Sequence, residues 1–426
     1  MQNIIQKILR VLAKIVIWRY QPVIVAVTGS VGKTSTKEAI YHVLRKKFRV
    51  RRNLKNYNNE IGVPLTILGL ETGGDSILAW LGNFLKAILI FFWAKGYPEI
   101  LVLEMGVDKP GDMKYLLDFV PVKIGVFTAI GEFPVHLEFF PEKGKLVEEK
   151  ARLVKSLPKD GLAVLNYDDL SIRMVGDELP ENTKILYYGF GDGADVKINN
   201  YELKIDDLEK WKFGLNFKLE YQGSNVPVKL KRVLGKQQCF SAAAAASVGL
   251  YFGLNLVEIS NALRKHRSLA GRTKLLKGVK NTWIIDDSYN ASPLSTLVAL
   301  DLLEEFNGPL RNEASRKIAV LGDMLELGQE TEVAHRQVGQ KAASIVDLLF
   351  TVGSRSIFIA DQALRQGLDQ DSIFEFSQSS QAGIPLQERI QSGDIILIKG
   401  SRSIQMEKIT KEIMAHPEEA DKLLVH

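Results

Sequence analysis

The sequence predicts an α/β protein built as two sheet units. The first is a mostly parallel sheet with a small antiparallel sheet attached, and the second is a Rossmann-like α/β unit. Two observations carry this. Short runs rich in Val, Ile and Leu recur at helix-length intervals, and the first of them leads directly into a glycine loop and a helix. The 426 residues leave room for two or three domains.

From Val23 the chain reads V-I-V-A-V, then T-G-S-V-G-K-T-S, then the helical K-E-A-I-Y-H-V-L. Further buried-strand runs follow at I-L-V-L-E (100–104) and I-G-V-F-T (124–128), with helical stretches between them. That alternation is the pattern of a parallel sheet covered on both faces. Between residues 185 and 234 the texture changes to short alternating runs such as F-K-L-E-Y and V-P-V-K-L, broken by G-D-G and Q-G-S-N. These read as antiparallel strands attached to the first unit. The alanine-rich run from Ser241 reads as a tightly packed helix. After Leu269-Ala270-Gly271-Arg272 a second α/β series begins, with strands near Trp283, Lys317, Leu348 and Asp394. The expected division is an amphipathic helix over 1–22, a first domain over 23–268 and a second over 269–426.

Composition narrows the function classes. Hydrophobic residues make up 46% and charged residues 25%, ordinary for a soluble globular chain. The net charge of +5 is small and scattered, so no nucleic-acid partner is expected. A single cysteine, Cys239, excludes an internal disulfide framework and fits a reducing cytoplasm. No Cys/His cluster has zinc-ligand spacing. Residues 1–20 repeat apolar side chains at Ile4, Ile8, Leu12 and Ile15, with Lys7, Arg10 and Lys14 on another face. That is a basic amphipathic helix without a signal-peptide cleavage site, so peripheral membrane contact through 1–20 is an expectation. Residues 77–94 approach spanning length, but a span there would separate Lys33 from Glu104, and it is rejected.

The loop Thr28-Gly29-Ser30-Val31-Gly32-Lys33-Thr34-Ser35 lies between a strand and a helix. Glycines let backbone amides turn toward phosphate oxygens, and the helix N-terminus adds partial positive charge. Lys33 would bridge the outer phosphates of a nucleotide, and the Thr34 hydroxyl would ligate Mg²⁺. Val27 stands where the longer form of this motif has glycine, so this is the shortened G-x-x-G-K-T version.

The shortened loop resembles that of the Mur ligases and their relatives, the folylpolyglutamate synthases. The likeness recurs in N-Y-N-N-E-I-G-V-P-L-T from Asn56, L-E-M-G-V-D-K-P-G-D from Leu103 and H-L-E-F-F from His136. It continues in D-D-S-Y-N-A-S-P from Asp286, L-G-D-M-L-E-L-G from Leu321 and K-G-S-R-S from Lys399. The last three resemble one branch, the ligases that add D-alanyl-D-alanine to a UDP-muramoyl tripeptide. Two departures stand out. Only a short helix precedes the loop where that branch has a UDP-sugar domain, and Gln237, Gln238 and Ser241 stand where His or Asn is usual.

The resemblance implies an ATP-dependent ligase that activates a carboxylate as an acyl phosphate and joins it to an amine. Crowding of anions in that step makes positioning and charge neutralisation the core of catalysis. It implies two Mg²⁺ sites: one on Thr34 and Glu104, the other on His136 and Lys150, the lysine being carried as a carbamate. A carbamate reverses the sign of an ammonium that would repel the metals; each unit-charge contact at ~4 Å and an effective dielectric near 20 is worth roughly 4 kcal/mol. Gly29 to Ser35, Arg272, Asp287 and Asn290 would hold ATP. Asn56, Asn58 and Asn59 would hold the carboxylate substrate, and Asp323, Lys399, Ser401 and Arg402 the incoming D-alanyl-D-alanine. The partners are then the peptide precursor and the dipeptide, and the working unit is expected to be a cytoplasmic monomer. A relative acting on a pseudomurein peptide or a poly-amino acid, and a non-enzymatic nucleotide-binding module, remain alternatives.

Overall fold

The computed structural model describes residues 2–54, 57–93, 96–306 and 316–425. Nine strands form the first sheet: β1 (Val23–Thr28), β2 (Val50–Arg52), β3 (Ile100–Glu104), β4 (Ile124–Phe127), β5 (Leu162–Asn166), β6 (Lys184–Gly189), β7 (Val196–Asp207), β8 (Lys212–Tyr221) and β9 (Ser224–Lys231). Six form the second: β10 (Lys274–Lys277), β11 (Trp283–Asp287), β12 (Lys317–Gly322), β13 (Leu348–Val352), β14 (Ile373–Phe376) and β15 (Ile395–Lys399).

The first sheet has the order β2-β3-β1-β4-β5-β6-β7-β8-β9 and is parallel as far as β7. The antiparallel strands expected over 185–234 are present as β7, β8 and β9. They extend the edge of the parallel sheet instead of standing as a separate one, and β6 is itself parallel. The second sheet, β10-β11-β15-β12-β13-β14, is parallel except for β10. The chain passes from one sheet to the other between the helix Leu256–Leu263 and β10.

Period-two alternation decides which side chains face which layer. Val25, Val27, Ile100 and Val102 join the layer under the helices Lys33–Leu44 and Gln237–Tyr251. Ile24, Ala26, Leu101 and Leu103 join the opposite layer, under the helices Gln2–Tyr20 and Ile77–Trp93. The alanine run is fully buried from Ala242 to Ala246, and its small side chains let the helix lie close to Lys33–Leu44. A Cβ on Gly249 would come within 2.8 Å of Val43.

The N-terminal helix corrects one expectation. Leu9, Ala13, Val16 and Ile17 are its buried face, packed on the first sheet's core. Arg10 does not share a free basic face with Lys7 and Lys14. Its guanidinium lies 3.5 Å from Asp118 and 4.8 Å from the Tyr115 ring centre.

Candidate active site

Order in the first sheet reverses around β1, whose neighbours are β3 and β4. The carboxyl edge at such a switch point is where open α/β sheets bind ligands. The glycine loop emerges there and is clamped by the end of β4. Ser30 and Val31 amides donate to the Ala129 carbonyl at 2.6 and 3.3 Å, and Thr128 Oγ1 donates to the Val31 carbonyl at 2.6 Å. Gly29, at φ 141°, must be glycine: a Cβ would sit 2.1 Å from Thr128 Oγ1. Gly32, at φ 87°, turns the chain into the helix that begins at Lys33.

The loop fits a phosphate. The Ser30 hydroxyl is buried without a partner, and the first-turn amides of the helix Lys33–Leu44 receive no side-chain cap. The Lys33 ammonium folds back onto the Gly29 and Ser30 carbonyls at 2.9 and 3.3 Å. Burial holds its pKa below the ordinary lysine value, against the opposing pull of Glu104 and Asp108.

Glu104, at the end of β3, is buried beside this loop. Its carboxylate accepts from Asn58 Nδ2 at 3.3 Å and lies 3.7 Å from the Lys37 ammonium. The Asn53 side chain bonds both the amide and the carbonyl of Glu104 and also donates to the Tyr57 carbonyl. Asn53 and Lys37, which sequence reasoning passed over, thus fix the carboxylate. Of the expected asparagines, Asn58 reaches Glu104. Asn59 Oδ1 accepts from the Ile61 and Gly62 amides and so closes the turn before the helix Gly62–Leu68, and Asn56 lies outside the described residues.

Lys150 sits on the buried face of the helix Lys143–Lys155, its ammonium 3.4 Å from the Val107 carbonyl. Burial lowers its pKa to about 7, helped by the nearby Lys33 charge and opposed by Asp108 and Asp112. Lys145 and Lys155, by contrast, pair with Glu148 and Glu178 on the exposed side. His136, at φ 69°, places Nε2 3.5 Å from Asp108. Its Nδ1 lies 2.8 Å from Glu326, in the loop after β12, so this histidine joins the two sheet units. The Glu326 carboxyl is held below its usual value by that imidazole. Among the described residues no three His, Cys, Asp or Glu side chains converge as a ready metal cage. A Thr34 hydroxyl with the Glu104 carboxylate still suits Mg²⁺, which keeps waters and substrate phosphates in its shell.

Between the sheets lies a cavity of about 480 Å³, within the range of nucleotide-sized sites. Val31, Gly32 and Ser35 line one wall, and Arg272, Asp287 and Lys399 the other. Arg272 lies 4.0 Å over the Tyr289 ring. Gln238 bonds His266 at 2.9 Å and Ser35 at 3.5 Å, while Ser241 accepts from Thr36 at 3.2 Å. Thr128, Asn166 and Asp169 also line the cavity. The Asn166 amide donates to the Thr128 carbonyl at 2.7 Å, and Asp169 accepts from the Ile130 and Gly131 amides. Their signal in sequence is the N-Y-D-D that follows the apolar run L-A-V-L of β5.

The residues expected to contact nucleotide and amine in the second unit bond one another. Lys399 donates to Asp287 at 2.6 Å and to the Asn290 carbonyl at 2.9 Å, forming one buried network. The Asn290 side-chain oxygen accepts from the Ala291 and Arg402 amides. The Asp323 carboxylate is taken up by the Arg355 and Ser356 amides, and Ser401 Oγ accepts from the Leu325 amide. Arg402 lies 3.2 Å from Glu407. Lys399 ends β15, and Asp323, Ser401 and Arg402 follow β12 or β15, at the carboxyl edge of the second sheet, where their polar atoms mostly organise that edge.

A phosphate loop and a buried carboxylate–lysine cluster on one sheet, facing a second α/β unit across a cleft, define a nucleotide-dependent two-unit enzyme fold. The Mur ligase middle domain matches residues 27–80 and 86–249, and the Mur ligase glutamate ligase domain matches 271–402. The chain belongs to the Mur ligase family. It is 30% identical over 397 residues to a UDP-N-acetylmuramoyl-tripeptide--D-alanyl-D-alanine ligase of Bacillus subtilis, covering 92% of this chain and 76% of that protein. It is also similar to a MurF ligase from Thermotoga maritima solved in complex with ADP, at 25% identity and a TM-score of 0.76, covering 98% of this chain and 84% of that one. A MurF structure from Acinetobacter baumannii shares the fold at 24% identity and the same TM-score, covering 94% and 79%.

Proposed function

We propose that this protein is an ATP-dependent, ADP-forming ligase that joins D-alanyl-D-alanine to a UDP-muramoyl tripeptide in cell-wall peptide synthesis. The observation that carries the reading is the cluster of Lys33, Glu104 and Lys150 at the carboxyl edge of β1 and β3, beside a cleft walled by Arg272 and Lys399. The likeness to the Bacillus subtilis ligase supports the choice of substrates.

In this reading the glycine-loop amides and the Ser30 hydroxyl hold the β- and γ-phosphates. Lys33 leaves the Gly29 carbonyl to neutralise them, and Arg272 approaches from the other wall. The apolar end of the cavity, with Phe240, Leu294 and Val298, receives the adenine. The peptide carboxylate attacks the γ-phosphorus and ADP leaves, giving an acyl phosphate. The amine nitrogen of the dipeptide then attacks the acyl carbon, the C–O bond to phosphate breaks, and the nitrogen loses a proton. Asn58 keeps Glu104 oriented during both steps. Thr34 and Glu104 would hold one Mg²⁺, and His136 with a carbamylated Lys150 a second; the ions supply neutralisation of phosphoryl charge.

Carbamate formation needs a neutral amine. A lysine pKa of about 7 leaves much of Lys150 neutral near physiological pH. Its nitrogen lone pair adds to CO₂ and one proton is released. The carbamate would sit where burial has already removed water from the ammonium. The reaction belongs in the cytoplasm, where ATP is made, and both walls of the cleft come from one chain, which supports a monomeric working unit. The test is a phosphate-release screen: UDP-muramoyl tripeptide and ATP with D-alanyl-D-alanine or with single amino acids. Release that depends on the dipeptide is expected, and release driven by L-amino acids but not the dipeptide would overturn the assignment.

A further inference from the structure

Two neighbouring helices carry apolar surface that the fold leaves uncovered. Besides its buried face, the helix Gln2–Tyr20 turns Ile4, Ile8, Val11, Ile15 and Trp18 outward, a second stripe in which residues alternate four and three apart. The helix Ile77–Trp93 buries Trp80 and Ala87 and exposes Leu78, Leu81, Leu85, Ile88 and Phe92 with the same periodicity. Trp18 is 69% and Leu78 80% exposed. Both helices sink their opposite faces into one core cluster, and the Tyr20 hydroxyl donates to the Ile90 carbonyl at 2.6 Å. The two stripes therefore lie side by side on one side of the molecule. Apolar surface of that extent marks an interaction site.

Charge selects the partner. Neither helix contains an acidic residue. Lys7, Lys14 and Arg19 on the first and Lys86 on the second are exposed around the stripes, while Arg10 is drawn to Asp118. Apolar stripes on helices that carry cations and no anions complement the boundary between acyl chains and anionic headgroups. Among the described residues no helix is long and apolar enough to cross a bilayer, and these two lie flat against the protein core. We propose that this two-helix face docks the enzyme peripherally on an anionic lipid surface. The apolar stripes enter the headgroup region, and the four cations meet lipid phosphates.

Co-sedimentation of the full chain with lipid vesicles tests this, using phosphatidylcholine alone or mixed with phosphatidylglycerol. Binding to the anionic vesicles should exceed binding to neutral ones by at least about tenfold and fall with added salt. Ile8→Gln/Ile15→Gln/Leu81→Gln/Leu85→Gln should abolish it while nucleotide binding and the circular dichroism spectrum stay unchanged. Lys7→Gln/Lys14→Gln/Lys86→Gln, which leaves the apolar stripes intact, should weaken it by roughly 100-fold, about fivefold per cation. Wild-type protein remaining in the supernatant with both vesicle types would overturn the proposal. So would undiminished binding by the lysine variant, or a wild-type dimer that the glutamine variant splits, which would make the face an interface between copies.

Discussion

Lys33 and Lys150 are both buried, and burial lowers both pKa values, with the Lys33 charge adding to the shift at Lys150. Lys33→Ala is expected to reduce turnover by roughly 10²–10³-fold or more, since one fixed charge on the phosphates is lost; steady-state phosphate release measures it. Lys150→Ala should be nearly inactive, with partial rescue by small carboxylates, and ¹³C-labelled bicarbonate should give a carbamate resonance in the wild type that the variant lacks. Stability reports the same residue. With its folded pKa near 7 against 10.5 unfolded, Lys150 contributes stability that is complete above pH 10.5 and is lost as pH falls toward 7. Urea unfolding at several pH values should show that slope, at most about 1.4 kcal/mol per pH unit, and Lys150→Met should lack it. Lys33 and Glu104 stand out in sequence because a glycine loop and a strand end announce them, whereas Lys150, inside a lysine-rich helix, is singled out only by the family resemblance. Lys37 and Asn53 do not stand out: each acts on Glu104 from a distant point in the chain, and the pairing of β3 with both β1 and β2 brings them together.

At the scale of elements, the phosphate loop depends on the end of β4. Gly29→Ala would drive its Cβ into Thr128, so a loss of about 1–3 kcal/mol of stability is expected, together with loss of nucleotide binding. Denaturant unfolding and a fluorescent-nucleotide titration read the two effects. The alanine helix is held to this loop through Gln238 and His266. Burial lowers the His266 pKa to about 3, so its neutral form contributes stability present above pH 6.5 and lost as pH falls toward 3. Thermal melts from pH 7 to pH 4 should decline, and less steeply in His266→Gln. Strands with long apolar runs, such as β3 and β15, were legible almost to the residue. Val50–Arg52 and Ile373–Phe376 were not, because short edge strands carry little periodic signal. The N-terminal helix misled in another way. Apolar residues on both its faces blurred into one stripe, and only packing separates the buried side from the exposed one.

For the whole molecule, the proposed reaction draws on both sheet units, which line one cavity. The cleft is bridged by His136 and Glu326, and by Gly131, where a Cβ would lie 3.0 Å from Leu294. The two-unit order was legible from the sequence, whereas the ion pair of Lys399 with Asp287 was not, since it depends on the pairing of β11 with β15. The central claim is that the two units together make an acyl phosphate and pass it to an amine. It is tested most directly with UDP-muramoyl tripeptide carrying ¹⁸O in its reacting carboxylate, incubated with ATP, Mg²⁺ and D-alanyl-D-alanine. Mass spectrometry should find one ¹⁸O in the released phosphate, together with ADP and the extended peptide. Unlabelled phosphate, or AMP in place of ADP, would contradict it.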